Sequence, residues 1–203
     1  MRLRITKARK ITAAVIGVIA GCIIGVFLCF PWNNIAEAVF SKAVMKASEK
    51  GIYLTSASTD VSGLFRKTFT YKGITAELPY AQLSAREVSV TPYFSSLVSE
   101  TKSAHLVLGK GKLVPVTRQE INWNRGIADV QITPASIVFD KIVFSGPITV
   151  TGSAVLDKSG KKLLKAKLNI KVPVEFDRVL NMVRLAKIVP LQKIRNGEWR
   201  IEK

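Results

Sequence analysis

The sequence has few of the residues on which most site chemistry depends. Its 203 residues include one histidine, two cysteines and 14 acidic residues, against 31 lysines and arginines. Both cysteines, Cys22 and Cys29, fall in one apolar run, so the rest of the chain must fold without disulfides. His105 lies in a predicted strand and is expected to be a structural or exposed residue. No zinc site, Cys–His pair or Ser–His–Asp arrangement is predicted around it.

The acidic residues are too scattered to predict a reaction centre. No two of them have a spacing typical of an acid/base pair or a metal site, and Glu175 and Asp177 are explained by the positive end of a helix dipole. The stretch Gly109-Lys110-Gly111-Lys112 is too short for a phosphate-binding loop and is predicted to form a hairpin. The sequence therefore predicts no catalytic, metal-binding or cofactor-binding residue, and an envelope enzyme is the weakest hypothesis.

One long apolar run stands out in this basic chain. Residues 11–30 contain a single weakly polar side chain, Thr12, and a helix of this length spans roughly 30 Å, the thickness of a bilayer core. Five basic residues and no acid precede it, and Trp32 follows it. Because positive flanks stay cytoplasmic, we predict a cytoplasmic tail over 1–10, a transmembrane helix over 11–30 and an external remainder.

Two other interpretations of this run remain open. A cleaved signal peptide is disfavoured because the run is too long and lacks an obvious small-residue cleavage site. Ile19-Ala20-Gly21-Cys22 resembles a bacterial lipobox with Cys22 as the lipidated residue, although the sequence stays apolar up to Phe30. Hydrophobic length favours the spanning helix. In that helix Cys22 and Cys29 are expected to be packing residues.

Three glycines in the run, Gly17, Gly21 and Gly25, are spaced four residues apart. This small-xxx-small pattern lets two membrane helices approach closely, so it predicts packing against a partner or a second copy of the chain. The alternative is chance, since glycine is common in membrane helices.

A juxtamembrane linker over 31–51 is predicted to contain a helix at 34–49. Asn33 or Asn34 is the expected N-cap, with Glu37 completing a capping box, and Gly51 is the expected stop. The apolar residues of this helix follow helical spacing and predict its buried stripe. They are Ile35, Val39, Phe40, Ala43, Val44 and Ala47.

From Ile52 onward the hydrophobic pattern has period two, which is typical of strands. The predicted strands are 52–59, 67–76, 83–91, 103–109, 112–117, 127–133, 136–144, 147–156 and 162–173. The last two are joined by the turn residues Asp157-Lys158-Ser159-Gly160. Alternation of apolar residues with lysines in 162–173 indicates an antiparallel sheet with one solvated face.

The end of the chain predicts a second helix over 175–188, with Pro190 after it, and then a hairpin-type turn at Asn196-Gly197 leading into a short strand. The expected stripe of this helix contains Phe176, Val179, Leu180, Val183 and Ala186. The predicted fold class is mainly β with flanking α. A curved, mostly antiparallel sheet has one helix before it, in the 31–51 linker, and one after it. The β-rich extracytoplasmic domain is predicted over 52–203.

Basic residues also dominate the external part, where 26 lysines and arginines face 14 acidic residues. Six lysines crowd one predicted hairpin: Lys158, Lys161, Lys162, Lys165, Lys167 and Lys171. They could contact an anionic lipid surface or an acidic partner, or they could be a solvated strand face that discourages aggregation. The predicted topology argues against nucleic acid as a partner.

The layout of the chain resembles a known family. A basic N-terminus and one membrane helix lead into FPWNNIAEAVFSKAVMKASEKGIYLTSAS, and AREVSVTPYFSSLVSETKSAHLVLGKGKL follows. This arrangement is similar to protein N of the type II (general) secretion pathway and to the wider AsmA-like group of bacterial envelope proteins. The resemblance implies an inner-membrane protein with a periplasmic β-rich domain, and it carries no catalytic residue to transfer.

Two functional hypotheses follow. The first is a non-enzymatic accessory or structural component of a type II secretion or envelope-assembly system, with membrane lipid and secretion-system proteins as partners. The second is AsmA-like lipid binding or transfer in an apolar β groove, closed by the second helix. Both place the chain in the inner membrane as a single-pass protein with its C-terminal domain in the periplasm.

Overall fold

The computed structural model describes residues 16–19, 21–22, 25, 29–49, 51–64, 66–79, 81–93, 99–115, 120–160, 162–185 and 190–203. Within them the chain is mainly β, with helix α1 (Trp32–Ser48) before the strands and helix α2 (Val174–Leu185) near the end. The strands are β1 (Tyr53–Thr55), β2 (Ser58–Ser62), β3 (Thr68–Leu78), β4 (Ala81–Pro92), β5 (Lys102–Leu108), β6 (Gly111–Pro115), β7 (Ile121–Trp123), β8 (Arg125–Ile132), β9 (Ser136–Ser145), β10 (Thr149–Asp157), β11 (Leu163–Lys171), β12 (Leu191–Arg195) and β13 (Glu198–Glu202).

All strand pairs are antiparallel and belong to one curved sheet with the order β1-β3-β4-β5-β8-β9-β10-β11-β13-β12. β2 also pairs with β3, and β6 pairs with β4 and β7. Neighbours along most of this order are neighbours in sequence, as in a meander. The exception is the end, where α2 carries the chain past β11 to the outermost strand β12, and β13 returns between them.

Two pairs of consecutive strands, β5 with β6 and β7 with β8, are each the two halves of one longer, kinked strand. β5 and β6 pair with the two halves of β4 in one continuous register, Leu108 opposite Val88 and Gly111 opposite Ala85. β7 and β8 continue in the same way against β6 and β5. The hairpin predicted at Gly109–Lys112 is therefore wrong, because this stretch is a kink within a strand.

Trp123 explains why glycine is needed at that kink. Its indole N–H donates to the Gly109 carbonyl at 2.8 Å, and a Cβ at Gly111 would lie 2.2 Å from its ring. Glycine is needed at position 111 because the indole occupies the space of a side chain. The same strand, β7, was not among the predicted strands.

Helix α1 begins earlier than predicted and ends as predicted. Pro31 is the N-cap, without a side-chain capping hydrogen bond, so the predicted Asn34–Glu37 capping box is not formed. At the other end Gly51 has φ +71, and its N–H donates to the Ser48 carbonyl at 2.9 Å. This is the left-handed termination that glycine adopts without a Cβ penalty.

The two faces of the sheet differ sharply in chemistry. Directly paired residues of adjacent strands point to the same face. One such row crosses most of the sheet and is apolar: Tyr71, Val88, Leu108, Gly126, Phe144, Val150, Ile170 and Trp199. The offset row is mostly polar and includes Thr91, His105, Asp129 and Asp140. We call these the apolar face and the polar face.

Both helices lie on the apolar face, near its two ends. The Tyr71 hydroxyl donates to the Ala36 carbonyl in α1 at 3.1 Å, and the Phe40 ring stacks on Tyr71 with centroids 5.1 Å apart. At the other end Asp177 of α2 accepts a hydrogen bond from the indole N–H of Trp199. The helices thus cover the terminal parts of one continuous apolar surface.

The buried stripe of α1 is narrower than predicted. Ala36 is fully buried and Phe40 is half-buried. Val39 and Ala43, which the spacing assigned to the stripe, are exposed, Val39 to 55%. The sheet contacts the helix along the line through Ala36 and Phe40, so Val39 points to solvent. In α2, Phe176 and Leu180 are half-buried as expected, and the side chains of Val179, Val183 and Ala186 lie outside the described residues.

The predicted transmembrane helix at 11–30 lies largely outside the described residues. Among the residues that the structure does describe, no helix has both the length and the apolarity needed to cross a membrane.

Candidate functional site

The middle of the apolar face is left partly open between the two helices. Its side chains between the two helices are half-buried, whereas Tyr71 and Trp199 beneath the helices are buried. These half-buried residues include Val88, Val90, Leu106, Leu108, Phe144 and Val150. A continuous apolar surface of this kind is suited to acyl chains or to an apolar protein surface.

A buried carboxylate organises the α2 end of this face. Asp177 Oδ1 accepts from the Trp199 indole N–H at 2.6 Å and from the Gly197 N–H at 3.2 Å, and its Oδ2 lies 2.5 Å from Lys193 Nζ. The hydrogen bond from Lys193 is the main cause that lowers the pKa of Asp177, aided by those from Trp199 and Gly197 against the opposing effect of burial. Asp177 therefore does more than complement the helix dipole, because it fixes α2 to the β12–β13 hairpin.

The same hairpin carries a second charged cluster. Arg195 donates to Glu198 through Nε at 2.6 Å and Nη2 at 2.7 Å, and Lys171 Nζ lies 3.1 Å from the same carboxylate. The hydrogen bond from Arg195, followed by that from Lys171, lowers the pKa of Glu198 to about 2. Two carboxylates at this end are thus held ionised by named partners.

A second cluster on the polar face is centred on Asp129 in β8. Its Oδ1 lies 2.7 Å from His105 Nδ1 in β5 and accepts from the Tyr93 hydroxyl at 3.0 Å. Lys141 Nζ is 3.6 Å from Oδ2. The hydrogen bond from His105 is the main cause that lowers the pKa of Asp129.

A β-bulge brings Lys141 into this cluster. Strand β9 has one more residue than both of its neighbours at this point, and Lys141 has φ +50. The register places Asp140 directly opposite Asp129, a like-charge pair that is unfavourable by itself. Lys141 and His105 offset that repulsion, so this cluster is accounted for as a tie across three strands.

The cluster offers no arrangement typical of catalysis. Asp129 is engaged by three donors, and no serine, threonine or cysteine side chain is hydrogen-bonded to His105 among the contacts that the structure describes. The described residues also contain no group of three or more His, Cys, Asp or Glu side chains that could hold a metal ion.

The predicted lysine site is spread over one side of the β10–β11 hairpin. Lys165, Lys167 and Lys171 alternate along β11 and point to the polar face, opposite to α2. Lys171 pairs with Glu198, while Lys158 and Lys162 lie exposed at the turn. Lys161 lies outside the described residues.

The predicted helix-packing glycines are described only as isolated positions. Gly17, Gly21 and Gly25 are helical, and a Cβ at each would meet no atom within 4 Å. Cys22 and Cys29 are free and exposed.

Sequence reasoning did not find the partners of Asp129 or the burial of Asp177. Asp129 is 24 positions from His105, and Asp177 is 22 from Trp199, so no local motif relates them. The sequence signal for the burial of Asp177 was its position beside apolar residues of α2. The helix dipole explains an acidic residue at that position equally well.

Comparison with known proteins identifies the family. The family model described as "Type II secretion system protein GspN-like, Synergistales" matches residues 9–203. The chain belongs to this GspN-like family of type II secretion system proteins. The resemblance to protein N of that pathway is confirmed at the level of the family, whereas the comparisons do not extend to the AsmA-like group. No curated protein and no solved structure matches the chain.

Proposed function

We propose that this chain is a non-enzymatic accessory component of a type II secretion system, anchored in the inner membrane with its sheet in the periplasm. The family match over residues 9–203 carries the proposal. The structure supports it with a large two-faced sheet whose polar clusters are explained by cross-strand contacts. Such a sheet is a scaffold for binding rather than a reaction centre.

Photo-crosslinking in the native bacterium tests this proposal. A photoreactive residue placed at Leu106, on the apolar face, has a matched control at the adjacent Val107, which points to the polar face of the same strand. Crosslinks to secretion-system proteins are expected from at least one of the two positions. Comparison of the yields at Leu106 and Val107 shows which face of the sheet binds these proteins. Crosslinks only to unrelated proteins, or none, would contradict the proposal.

The membrane anchor over 11–30 and the cytoplasmic tail over 1–10 belong to the same proposal. Twenty nearly apolar residues after five basic ones support a single-pass helix with its N-terminus in the cytoplasm. The full chain should resist alkaline extraction from membranes, and protease added to spheroplasts should digest the sheet. Extraction into the soluble fraction, or protection of the sheet, would argue against this topology.

Within that anchor, Gly17, Gly21 and Gly25 are proposed to pack against another helix, either of a second copy or of a secretion-system partner. Their spacing supports close approach of two helices. Gly21→Leu should reduce crosslinking between membrane helices, while Val18→Leu should leave it unchanged. Equal crosslinking by the two variants would remove this role.

Lipid binding is the second candidate function, and the half-buried middle of the apolar face favours it. Its half-buried apolar row runs from Val88 in β4 to Val150 in β10, so acyl chains could lie across these strands. Lipids should copurify with the full chain and be detected by native mass spectrometry. Leu106→Lys should reduce them while Val107→Lys, on the opposite face, should not. Equal lipid content in the two variants would contradict a groove on this face.

The lysines of the β10–β11 hairpin are proposed to contact an anionic surface. The exposure of Lys165, Lys167 and Lys171 and their common orientation on the polar face support this role. Lys165→Glu combined with Lys167→Glu should weaken binding of the full chain to anionic vesicles. Unchanged binding would leave these residues as a solvated strand face.

A further inference from the structure

The short loop between β2 and β3 lies beside the first residue of α1. Lys67 Nζ is 5.3 Å from the centre of the Trp32 ring, and the Phe30 and Trp32 rings are 4.8 Å apart. The loop, Gly63–Lys67, therefore sits where the chain passes from residues 11–30 into α1. Aromatic and basic side chains at such a position are typical of a membrane–water interface.

Two described residues of the loop, Gly63 and Arg66, approach each other closely. Gly63 has φ +89, and a Cβ there would lie 2.1 Å from the Arg66 carbonyl oxygen. The Arg66 carbonyl thus occupies the space of a Gly63 side chain, so only glycine is permitted at position 63. The folded loop projects Leu64, whose side chain is 53% exposed.

The same loop also contacts the residue that follows β4. The Arg66 guanidinium carbon is 5.0 Å from the centre of the Tyr93 ring, and Tyr93 directly follows β4. Two cations, Arg66 and Lys67, therefore follow the exposed Leu64 in the same loop, and the loop contains no acidic residue. An exposed apolar side chain close to basic residues is the composition that enters the headgroup region of an anionic bilayer.

We propose that the β2–β3 loop docks on the bilayer, with Leu64 below the headgroups and Arg66 and Lys67 against anionic phospholipid. The proposal rests on the membrane anchor of the proposed function, because that anchor would hold the loop at the surface. The docked loop gives the sheet a second attachment and so fixes its orientation relative to the membrane. A single helix would leave that orientation free.

Depth-dependent fluorescence quenching tests the docking. The full chain, with Cys22→Ala and Cys29→Ala, carries an environment-sensitive label at Leu64→Cys and is reconstituted in phosphatidylcholine vesicles with or without phosphatidylglycerol. Spin-labelled lipids with the quencher near the headgroup should quench most of the emission and shift it to the blue. The control label, at Leu78→Cys, is 39% exposed at the far end of β3. Leu78 lies about 33 Å along β3 from the end of the strand that carries the loop, so a label there should stay unquenched.

Charge reversal separates lipid contact from mere proximity. Arg66→Glu combined with Lys67→Glu should lower the quenching of the Leu64 label in anionic vesicles to its level in neutral ones. The control, Lys42→Glu, lies on α1 about 15 Å from Trp32, beyond the Debye length of about 8 Å, and should have no effect.

The outcomes distinguish this inference from the proposal on which it rests. A chain that floats with vesicles while the Leu64 label remains as unquenched as the Leu78 label would overturn the docking and leave the anchor intact. A chain that does not float with vesicles would contradict both the anchor and the docking. Quenching at Leu64 that charge reversal does not change would exclude the proposed contact with anionic lipid.

Discussion

Helices α1 and α2 lie on the same apolar face, and the contacts beneath them differ in kind. Under α1, the Tyr71 ring stacks on Phe40 and its hydroxyl donates to a backbone carbonyl. Under α2, the buried carboxylate of Asp177 holds Trp199 and Lys193. Neutral contacts keep their strength over a wide pH range, whereas a carboxylate contact depends on ionisation. The α1 end is therefore a permanent attachment and the α2 end is a conditional one.

Removal of the buried indole should give the largest difference between the two ends. Trp199 is fully buried beneath α2. Trp199→Ala should lower the free energy of unfolding by about 3–5 kcal/mol, as is typical of a large core aromatic. Chemical denaturation of the full chain in detergent measures the loss. The matched change at the other end, Trp32→Ala, should cost less because that ring is only half-buried. Equal losses would mean that the α2 end has no special dependence on its tryptophan.

Neutralising the carboxylate should weaken the α2 end selectively. Asp177→Asn removes the charge that Lys193 contacts and leaves a poorer acceptor for the Trp199 N–H. The melting temperature should fall, and hydrogen exchange should speed up in α2, β12 and β13 while α1 is unaffected. Glu175→Gln, an exposed change in the same helix turn, is the control. Similar melting temperatures for the two variants would show that helix-dipole charge alone explains Asp177.

Acid should destabilise the α2 end more than the α1 end. The pKa values of Asp177 and Glu198 are lowered in the folded chain, that of Glu198 to about 2. The stability that Glu198 contributes is therefore complete above its unfolded pKa, near 4.5, and is lost as the pH falls towards 2. The contribution of Asp177 is likewise lost as the pH falls through its lowered pKa. Thermal melts between pH 7 and pH 2 should show this loss, and Glu198→Gln should make the curve flatter. A pH-independent melting temperature would rule out a stabilising role for both carboxylates.

The smallest effect is expected at the α1 end. Tyr71→Phe keeps the stacked ring and removes only the hydrogen bond to Ala36, so it should cost about 0.5–1.5 kcal/mol. Burial raises the pKa of the Tyr71 phenol, so this group stays neutral through the acid range. The loss should thus be the same at pH 7 and pH 4 in chemical denaturation. A loss that changes over this range would show that α1 is coupled to a titrating group.

Local periodicity predicted much of this fold, because strands and helices are set by nearby residues. The β10–β11 pair and the turn at Asp157 follow from alternation of apolar residues with lysines, and both are confirmed. The Gly109–Lys112 stretch was mistaken for a hairpin because glycine pairs mark both turns and kinks. Only the distant Trp123 ring, which fills the space at Gly111, decides between them.

The contacts at the two helix ends could not be predicted for a similar reason. The burial of Asp177 depends on α2 carrying the chain to the outer strand β12, so that β13 returns beneath the helix. The loss of Val39 from the α1 stripe depends on the line along which the helix meets β1 and β2. Long-range register decides both, and a 3.6-residue pattern contains no information about it.

Hydrogen exchange of the full chain at two pH values tests most directly the claim that the two ends are held by different forces. Protection factors, which correct for the intrinsic exchange rate, are compared at neutral pH and at pH 3 for α1 with β1 and β2, and for α2 with β12 and β13. We predict that protection falls at the α2 end and persists at the α1 end. Equal loss at both ends, or earlier loss at α1, would contradict the account.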